Sequence, residues 1–299
     1  MSTNFSPRGI IQAAISRIET LTERGPLSLL IVLGTLSEAI YVLFFVRYYP
    51  FLNLYNKPVV DLGIVLDHAQ GWGIVFLVLA TLLFLFYSWA LKASQVSQER
   101  RLLWAVIAFG LIFSVTCLLV YPWGAGDLFD YALLGKVFAH YRANPFVTCG
   151  ADFPNEPWVK FAPWAKATVA YGPVWVLLSG LAYWIAGPGF LANLLAHKIM
   201  ALLFYWLSIA AIAATWRELD RRYLTASVLF FAWNPLGLLE TMANGHNDVM
   251  MIALVLVALY LFLRRRYAWS LFSLALSALI KFTTVILAPL FILAGLYAQ

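Results

Sequence analysis

Two carboxylates stand three residues apart in Gly126-Asp127-Leu128-Phe129-Asp130-Tyr131, in a chain where 63% of residues are hydrophobic and only 11% are charged. Residues three and four apart on a helix share a face. Asp127, Asp130 and Tyr131 would therefore line one side with Leu134, Phe138 and Tyr141, leaving Lys136 and His140 on the other. A carboxylate within about 3 Å of a hydroxyl can take its proton as a general base. The same run also reads as a helix start, because Asp127 as N-cap with an acid three residues later resembles a capping box. The two readings are compatible, since an acid at a helix start can also face a substrate.

A second polar constellation is Asn244-Gly245-His246-Asn247-Asp248, with Glu240 one turn earlier. Asn247 or Asp248 could serve as a helix cap there, and His246 as a satisfied interfacial side chain. The alternative is substrate contact. Tyr171-Gly172-Pro173-Val174-Trp175 opens a short apolar segment, and a proline in the first turn of a helix is expected. Asn144-Pro145-Phe146 is a turn signal. Glu38, Lys198 and Lys281 fall within apolar runs, where an ionisable group is costly and faces a cavity or a partner. Either lysine could neutralise a phosphate or carboxylate, Lys198 could instead snorkel to an interface, and Glu38 pairs or is protonated. Asp127, Asp130, His246 and Asp248 are oxygen and nitrogen donors compatible with a divalent cation, but their spacing fixes no site and no metal ligand is assigned.

The elements that must carry these residues are membrane helices. Mean hydropathy is +0.83, and a helix needs about 20 apolar residues to cross a ~30 Å hydrocarbon core. Residues 27–48, 72–91, 102–121, 189–215, 223–241, 248–263 and 267–288 meet that need. The sequence thus predicts an all-α polytopic bundle of about seven spans. Trp and Tyr near many span ends fit interfacial belts. The first apolar run is too long for a signal-peptide core and reads as an uncleaved anchor. Ile10, Ile11, Ala14, Ile15, Ile18 and Leu21 share a helical face and suggest a surface-lying amphipathic segment. Cys117 in a span and Cys149 in a loop predict no disulfide with each other.

Lys and Arg cluster as Arg8/Arg17/Arg24, Lys92/Arg100/Arg101, Arg217/Arg221/Arg222 and Arg264/Arg265/Arg266, which is 12 of the 20 basic residues. The positive-inside rule places all four groups in the cytoplasm. This accounts for the net charge of +6 without a nucleic-acid partner. The assignment is self-consistent only if the short run 173–187 does not cross, so residues 122–188 form a long outer loop carrying interfacial helices. The resulting organisation is a cytoplasmic N-terminus over 1–26, three spans over 27–121, the extracytoplasmic catalytic loop, and the remaining spans over 189–299. Asp61, Asp67, Asp127, Asp130, Asp152, Glu156, Glu240 and Asp248 all map to the outer face. The ending at Tyr297-Ala298-Gln299, just after an apolar run, reads as the cut end of a longer membrane protein. Nucleotide-binding glycine loops, zinc patterns and serine nucleophile elbows are not visible.

Taken in order, Asp127-Leu128-Phe129-Asp130-Tyr131, Gly135-Lys136, Asn144-Pro145-Phe146 and Tyr171-Gly172-Pro173-Val174-Trp175 resemble the first outer loop of bacterial polyprenol-phosphate-mannose-dependent mannosyltransferases, membrane glycosyltransferases of the GT-C fold. Asn244–Asp248 and Lys281 resemble later motifs of the same family, so the likeness covers roughly residues 102–290. It implies a hexosyltransferase of the cell membrane, with a polyprenyl-phosphate sugar as donor and a glycan or glycolipid as acceptor. Asp127 stands where the family carries its essential acid, while Asp130 stands where the pattern is looser. The resemblance implies inversion by single displacement, with Asp127 as general base and with His246 and Lys281 or Arg142 engaging the donor phosphate. Tyr131, Tyr171, Asn247 and Asp248 complete the expected substrate contacts. The family is longer than this chain. A secondary transporter is the rival reading, although transporters place ionisable groups near the midplane and carry inverted repeats, whereas here the acids gather at one face and no repeat is visible. A non-catalytic, transferase-like subunit is the third reading.

Overall fold

The computed structural model describes residues 25–57, 72–96 and 99–297. The amphipathic stretch expected at 10–21, the basic group Arg8, Arg17 and Arg24, and the acids Asp61 and Asp67 lie outside them. Among the described residues the protein is a helix bundle without strands. A single bridge joins Pro50 to Val120. Four expected spans are helices long and apolar enough to cross a bilayer: Pro26–Val46, Gly73–Gln95, Arg100–Leu118 and Phe190–Leu219. We number them within α1 (Pro26–Ile40, continued by a π-turn over Tyr41–Val46), α3 (Trp72–Val96), α4 (Arg100–Leu118) and α7 (Phe190–Leu219), with α2 the short Phe51–Leu54.

The stretch expected to span at 223–241 is not one helix. It is α8 (Leu224–Ala232), then α9 (Pro235–Leu238), which ends in a π-turn over Leu239–Ala243. Pro235 has no N–H to donate, so the carbonyl four residues back, that of Phe231, loses its helical partner. Tyr205 on α7 replaces it, donating its hydroxyl to the carbonyls of Phe231 at 3.0 Å and Ala232 at 3.1 Å. The Trp233 indole donates to the Val106 carbonyl on α4 at 2.9 Å. The segment Pro235–Ala243 then meets α10 (Asp248–Leu263) at 119°, which puts Asn244–Asn247 at the tip of a helical hairpin.

The stretch expected at 267–288 is also divided. α11 (Tyr267–Ala278) lies along α10 through hydroxyl bonds from Ser270, Ser273 and Ser277 to the carbonyls of Ala258, Leu254 and Met251 at 2.7, 2.8 and 2.9 Å. Small hydroxylated residues allow helices in lipid to approach closely and bond in this way. The chain then extends at Lys281 (φ −144°, ψ 117°) before a 3-10 turn over Phe282–Leu287 and α12 (Ala288–Tyr297).

Residues 122–188 hold α5 (Asp127–Ala139) and α6 (Pro173–Ala186). The fourteen residues of α6 make about 21 Å of helix, short of the ~30 Å hydrocarbon core. α6 buries Trp175, Ser179 and Tyr183 and exposes Leu177, Leu181, Trp184 and Ile185. Between the two helices the loop is fastened by buried Glu156. Its carboxylate accepts from Lys136 at 2.7 Å, Tyr141 at 2.7 Å and the Trp158 N–H at 3.0 Å. The second of them, α6, docks on the membrane helices by backbone as well as side chain. The N–H groups of Gly172 and Val174, at the start of α6, donate to the carbonyls of Ile280 and Leu279 at 3.0 Å each. This docking ends α11 and sets Lys281 beside Tyr171.

Three of the basic groups collect at the end of the bundle remote from this loop. Arg264 pairs with Glu218 at 2.6 Å, and Leu91, Gln95, Trp216 and Tyr223 line a common hollow there. The helices α5 and α6 touch so closely that a Cβ on Gly135 would run into the Ser179 carbonyl. Gly135→Val is expected to destabilise the fold by roughly 1–3 kcal/mol through overpacking. Gly189→Ala, whose added carbon meets only Ala192 at 3.5 Å, should change little. Thermal unfolding of both variants in detergent micelles checks the pair, and equal melting temperatures would contradict the packing described.

Candidate active site

The hairpin tip and the start of α5 meet. His246 Nε2 lies 3.1 Å from Asp127 Oδ2, and its Nδ1 lies 2.9 Å from Glu240 Oε2. One imidazole thus joins two carboxylates brought from segments more than a hundred residues apart. Asn244 secures the same junction. Its Oδ1 accepts the Gly124 N–H at 3.0 Å, and its Nδ2 donates to Glu240 Oε2 at 3.1 Å. Gly124 is required at this approach, because a Cβ there would come within 2.5 Å of the Asn244 amide.

The capping alternatives are not realised. The N-cap of α5 is Gly126, and no side chain caps the helix. Asp127 spends Oδ2 on His246, and Asp130 Oδ1 accepts the N–H of Trp164 at 2.9 Å. Likewise Asn247 precedes α10 without a side-chain cap bond. Its side chain is buried, and its amide nitrogen and oxygen find no partner. Asp248 instead pairs with Lys281 at 2.6 Å.

Asp127, Asp130, Tyr131 and Tyr171 line one cavity of about 380 Å³, closed by the loop residues Pro145 and Trp164. Its walls are otherwise mostly apolar. The hydroxyls of Tyr131 and Tyr171 are 3.2 Å apart, Tyr131 also accepts from the backbone of Asn247, and Lys281 lies 5.8 Å from the centre of the Tyr171 ring. Eight of the nine residues singled out from the sequence therefore join one connected cluster. Arg142 does not. It lines a separate hollow of about 610 Å³ with Phe138, Phe146, Val176, Leu177 and Trp184, and its backbone is in the left-handed region at φ 52°. The two spaces share Pro145 as a wall.

Electrostatics separates the two aspartates. Burial pushes the Asp130 carboxyl up to about 7, against the Trp164 N–H and with some help from the Asp127 charge. Its Oδ2 is buried without a partner, so near neutral pH this group is poised between acid and carboxylate. His246 is raised to about 9, by the hydrogen bond to Asp127 first and that to Glu240 second, with burial opposing. It is an imidazolium at neutral pH, held between two acids.

No three His, Cys, Asp or Glu side chains gather to hold a metal ion among the described residues. Asp127 is joined to His246 and Asp248 to Lys281. Sequence reasoning left Glu240 and Asn244 without a role. The signal was their spacing of four, which places them on one helical face beside His246. Trp164, which holds Asp130 through its backbone, carried no signal.

Over residues 31–296 the chain matches the family described as alpha-(1->6)-mannopyranosyltransferase, N-terminal domain. The chain belongs to this family. A curated relative, alpha-(1->6)-mannopyranosyltransferase B of Corynebacterium glutamicum, is 30% identical over 156 residues, which is 49% of this chain and 25% of the relative. The chain thus spans about a quarter of the length of that mannopyranosyltransferase. No solved structure matches the chain. The family is the one that the loop motifs around Asp127 and Tyr171 resemble.

The bridged imidazolium makes the fold pH-dependent. A group whose pKa rises on folding contributes stability that is lost as pH climbs through the folded value. For Asp130 that loss runs from 3.8 to about 7, and for His246 from 6.5 to about 9. The melting temperature of the native protein is expected to fall between pH 7 and 9, and His246→Gln to flatten that part of the curve. A variant retaining the native slope would show that some other group titrates there.

Proposed function

We propose that the chain carries the active site of a membrane mannosyltransferase that moves a mannose from a polyprenyl-phosphate donor to a glycan or glycolipid acceptor on the extracytoplasmic side. The observation that carries this reading is the cavity with Asp127 and Asp130 along one wall and Asp127 fixed by His246. The family match and the name of the Corynebacterium relative support mannose and an α(1→6) bond, hence a primary hydroxyl on the acceptor.

Asp127 is the general base. His246 holds Oδ2 and leaves Oδ1 for the acceptor hydroxyl. A base fixed in this way loses no orientation between turnovers, which is where much of the gain from positioning lies. The acceptor oxygen bonds to the anomeric carbon of mannose, its proton passes to Asp127, and the bond from that carbon to the phosphate oxygen breaks. The electron pair leaves with the polyprenyl phosphate, and the configuration inverts. Asp130, protonated at its buried Oδ2 over part of the neutral range, donates a hydrogen bond to a sugar hydroxyl. Tyr131, Tyr171 and Trp164 give the sugar ring flat apolar faces.

His246 spends both ring nitrogens on carboxylates, which favours a role in holding the base and leaves the phosphate to a cation. Lys281 is tied to Asp248, and it orients Tyr171. Arg142 makes no salt bridge with a described residue and stands in the apolar hollow across Pro145. A guanidinium grips phosphate oxygens two at a time, and the hollow suits an isoprenoid chain. These features support a donor phosphate at Arg142, with its sugar reaching past Pro145 toward Asp127.

The test is transfer of label from polyprenyl-phosphate [14C]mannose in membranes carrying the protein in its full natural length. Asp127→Asn is expected to lower kcat by roughly 100-fold or more, within the range for loss of a general base. Arg142→Gln should raise KM for the donor by about tenfold, the cost of one charge-assisted contact, with a smaller change in kcat. Full activity of a normally expressed Asp127→Asn protein would remove the base assignment. Labelled solute uptake without transfer would favour a transporter.

A further inference from the structure

Lys198 is fully buried in α7 and takes no part in the chemistry above. Its ammonium donates to three backbone carbonyls: Val120 at 2.9 Å, Met242 at 2.7 Å and Ala243 at 2.7 Å. A lysine ammonium has three N–H donors, so its donor capacity is used in full. The Phe51 ring lies under it, 4.8 Å from nitrogen to ring centre, and among the described residues no carboxylate pairs with it. Neither neutralising a phosphate nor snorkelling describes this lysine.

The three carbonyls are not arbitrary. Met242 and Ala243 close the π-turn at the end of the α9 segment, where the chain leaves helical geometry for Asn244, Gly245 and His246. Gly245 has φ 77°, so the helix cannot continue, and the last carbonyls lose their helical donors. Val120 follows α4, where the chain turns toward Trp123, Gly124 and Asp127. A carbonyl freed in an apolar bundle is costly if left without a donor. One ammonium therefore satisfies the ends of both segments that bring His246 and Asp127 together.

We infer that Lys198 is a positioning residue of the active site, clamping the Val120 and Met242–Ala243 backbones so that His246 bridges Asp127 and Glu240. It acts through those backbones and touches neither base nor substrate. Asn244, bonded to Gly124 and Glu240, closes the same junction from the other side. With the clamp removed, the junction loosens, whereas the bonds that fasten the cavity walls, those of Glu156 and of the first N–H groups of α6, do not run through Lys198. The turnover part of this inference rests on the transfer reading above, and the titration part does not.

The experiment uses Lys198→Met, which keeps the length and apolar bulk and deletes the donors. Nitrogen-15 histidine spectra of the whole chain in nanodiscs, with the His246 signal assigned from His246→Gln, read the imidazole directly. The groups facing that ring are Asp127 and Glu240. The native ring is expected to titrate near 9, and the Lys198→Met ring to shift back toward the ordinary value of 6.5. In the transfer assay, kcat should fall by roughly tenfold or more, as for misplaced catalytic groups, with donor KM within about twofold of native. A folded Lys198→Met protein with native His246 titration overturns the inference whatever the reaction proves to be. A shifted titration with no mannose transfer by the native protein upholds the clamp and refutes the transferase reading instead. Should Lys198→Met not fold, Lys198→Gln, whose single amide can serve at most two of the three carbonyls, takes its place, and a native titration there is equally decisive against the clamp.

Discussion

A backbone carbonyl freed inside an apolar helix bundle has no water to accept from, and the architecture around the candidate site follows from that constraint. Each break that shapes the site releases such oxygens, and each set finds a donor on another element. Pro235 releases Phe231, which Tyr205 serves. The end of the α9 segment releases Met242 and Ala243, which Lys198 serves along with Val120. The end of α11 offers Leu279 and Ile280 to the first N–H groups of α6. Irregular backbone is tolerated at these points because tertiary partners complete it, and it is this irregular backbone that carries His246, Asp127 and Lys281.

For the proposed chemistry the consequence is a division between holding and reacting. His246 is bonded at both nitrogens and so orients Asp127 within a fixed frame. Asp130 sits three residues on, with one oxygen on the Trp164 N–H and the other buried and unpartnered. Two carboxylates a single helical turn apart are thereby given opposite environments, one beside an imidazolium and one in apolar surroundings. Environments that push two acids apart are how a site assigns them different tasks.

The loop between residues 122 and 188 completes the site in the same economical way. α6 is apolar on both faces, with Trp175 packed at 4.7 Å between ring centres against Tyr131 and Trp184 and Ile185 facing outward. It ties the cavity wall to an exposed apolar surface suited to the edge of a bilayer. The turn at Pro145 separates the acid-lined cavity from the apolar hollow beside Arg142. The donor proposed above, with a polar head and an isoprenoid tail, would use both sides of that one residue.

Composition and hydropathy alone determined the all-α membrane class and four long helices, because twenty apolar residues in a row have few other stable forms. The order of the loop motifs also marked Asp127, Asp130, Tyr131 and Tyr171, and helical spacing put the first three on one face. What the sequence could not decide was where two long apolar runs break. The runs at 223–241 and 267–288 are apolar enough to read as continuous, and only the docking of Tyr205 and of the start of α6 makes their interruption affordable. Nor could it decide that Asp127 would bond to a histidine 119 residues away rather than cap its own helix, or that Arg142 would stand apart. Local spacing governs which residues share a helix face. Long-range hydrogen bonds between broken helices govern which faces meet, and those bonds leave no periodic trace in the chain.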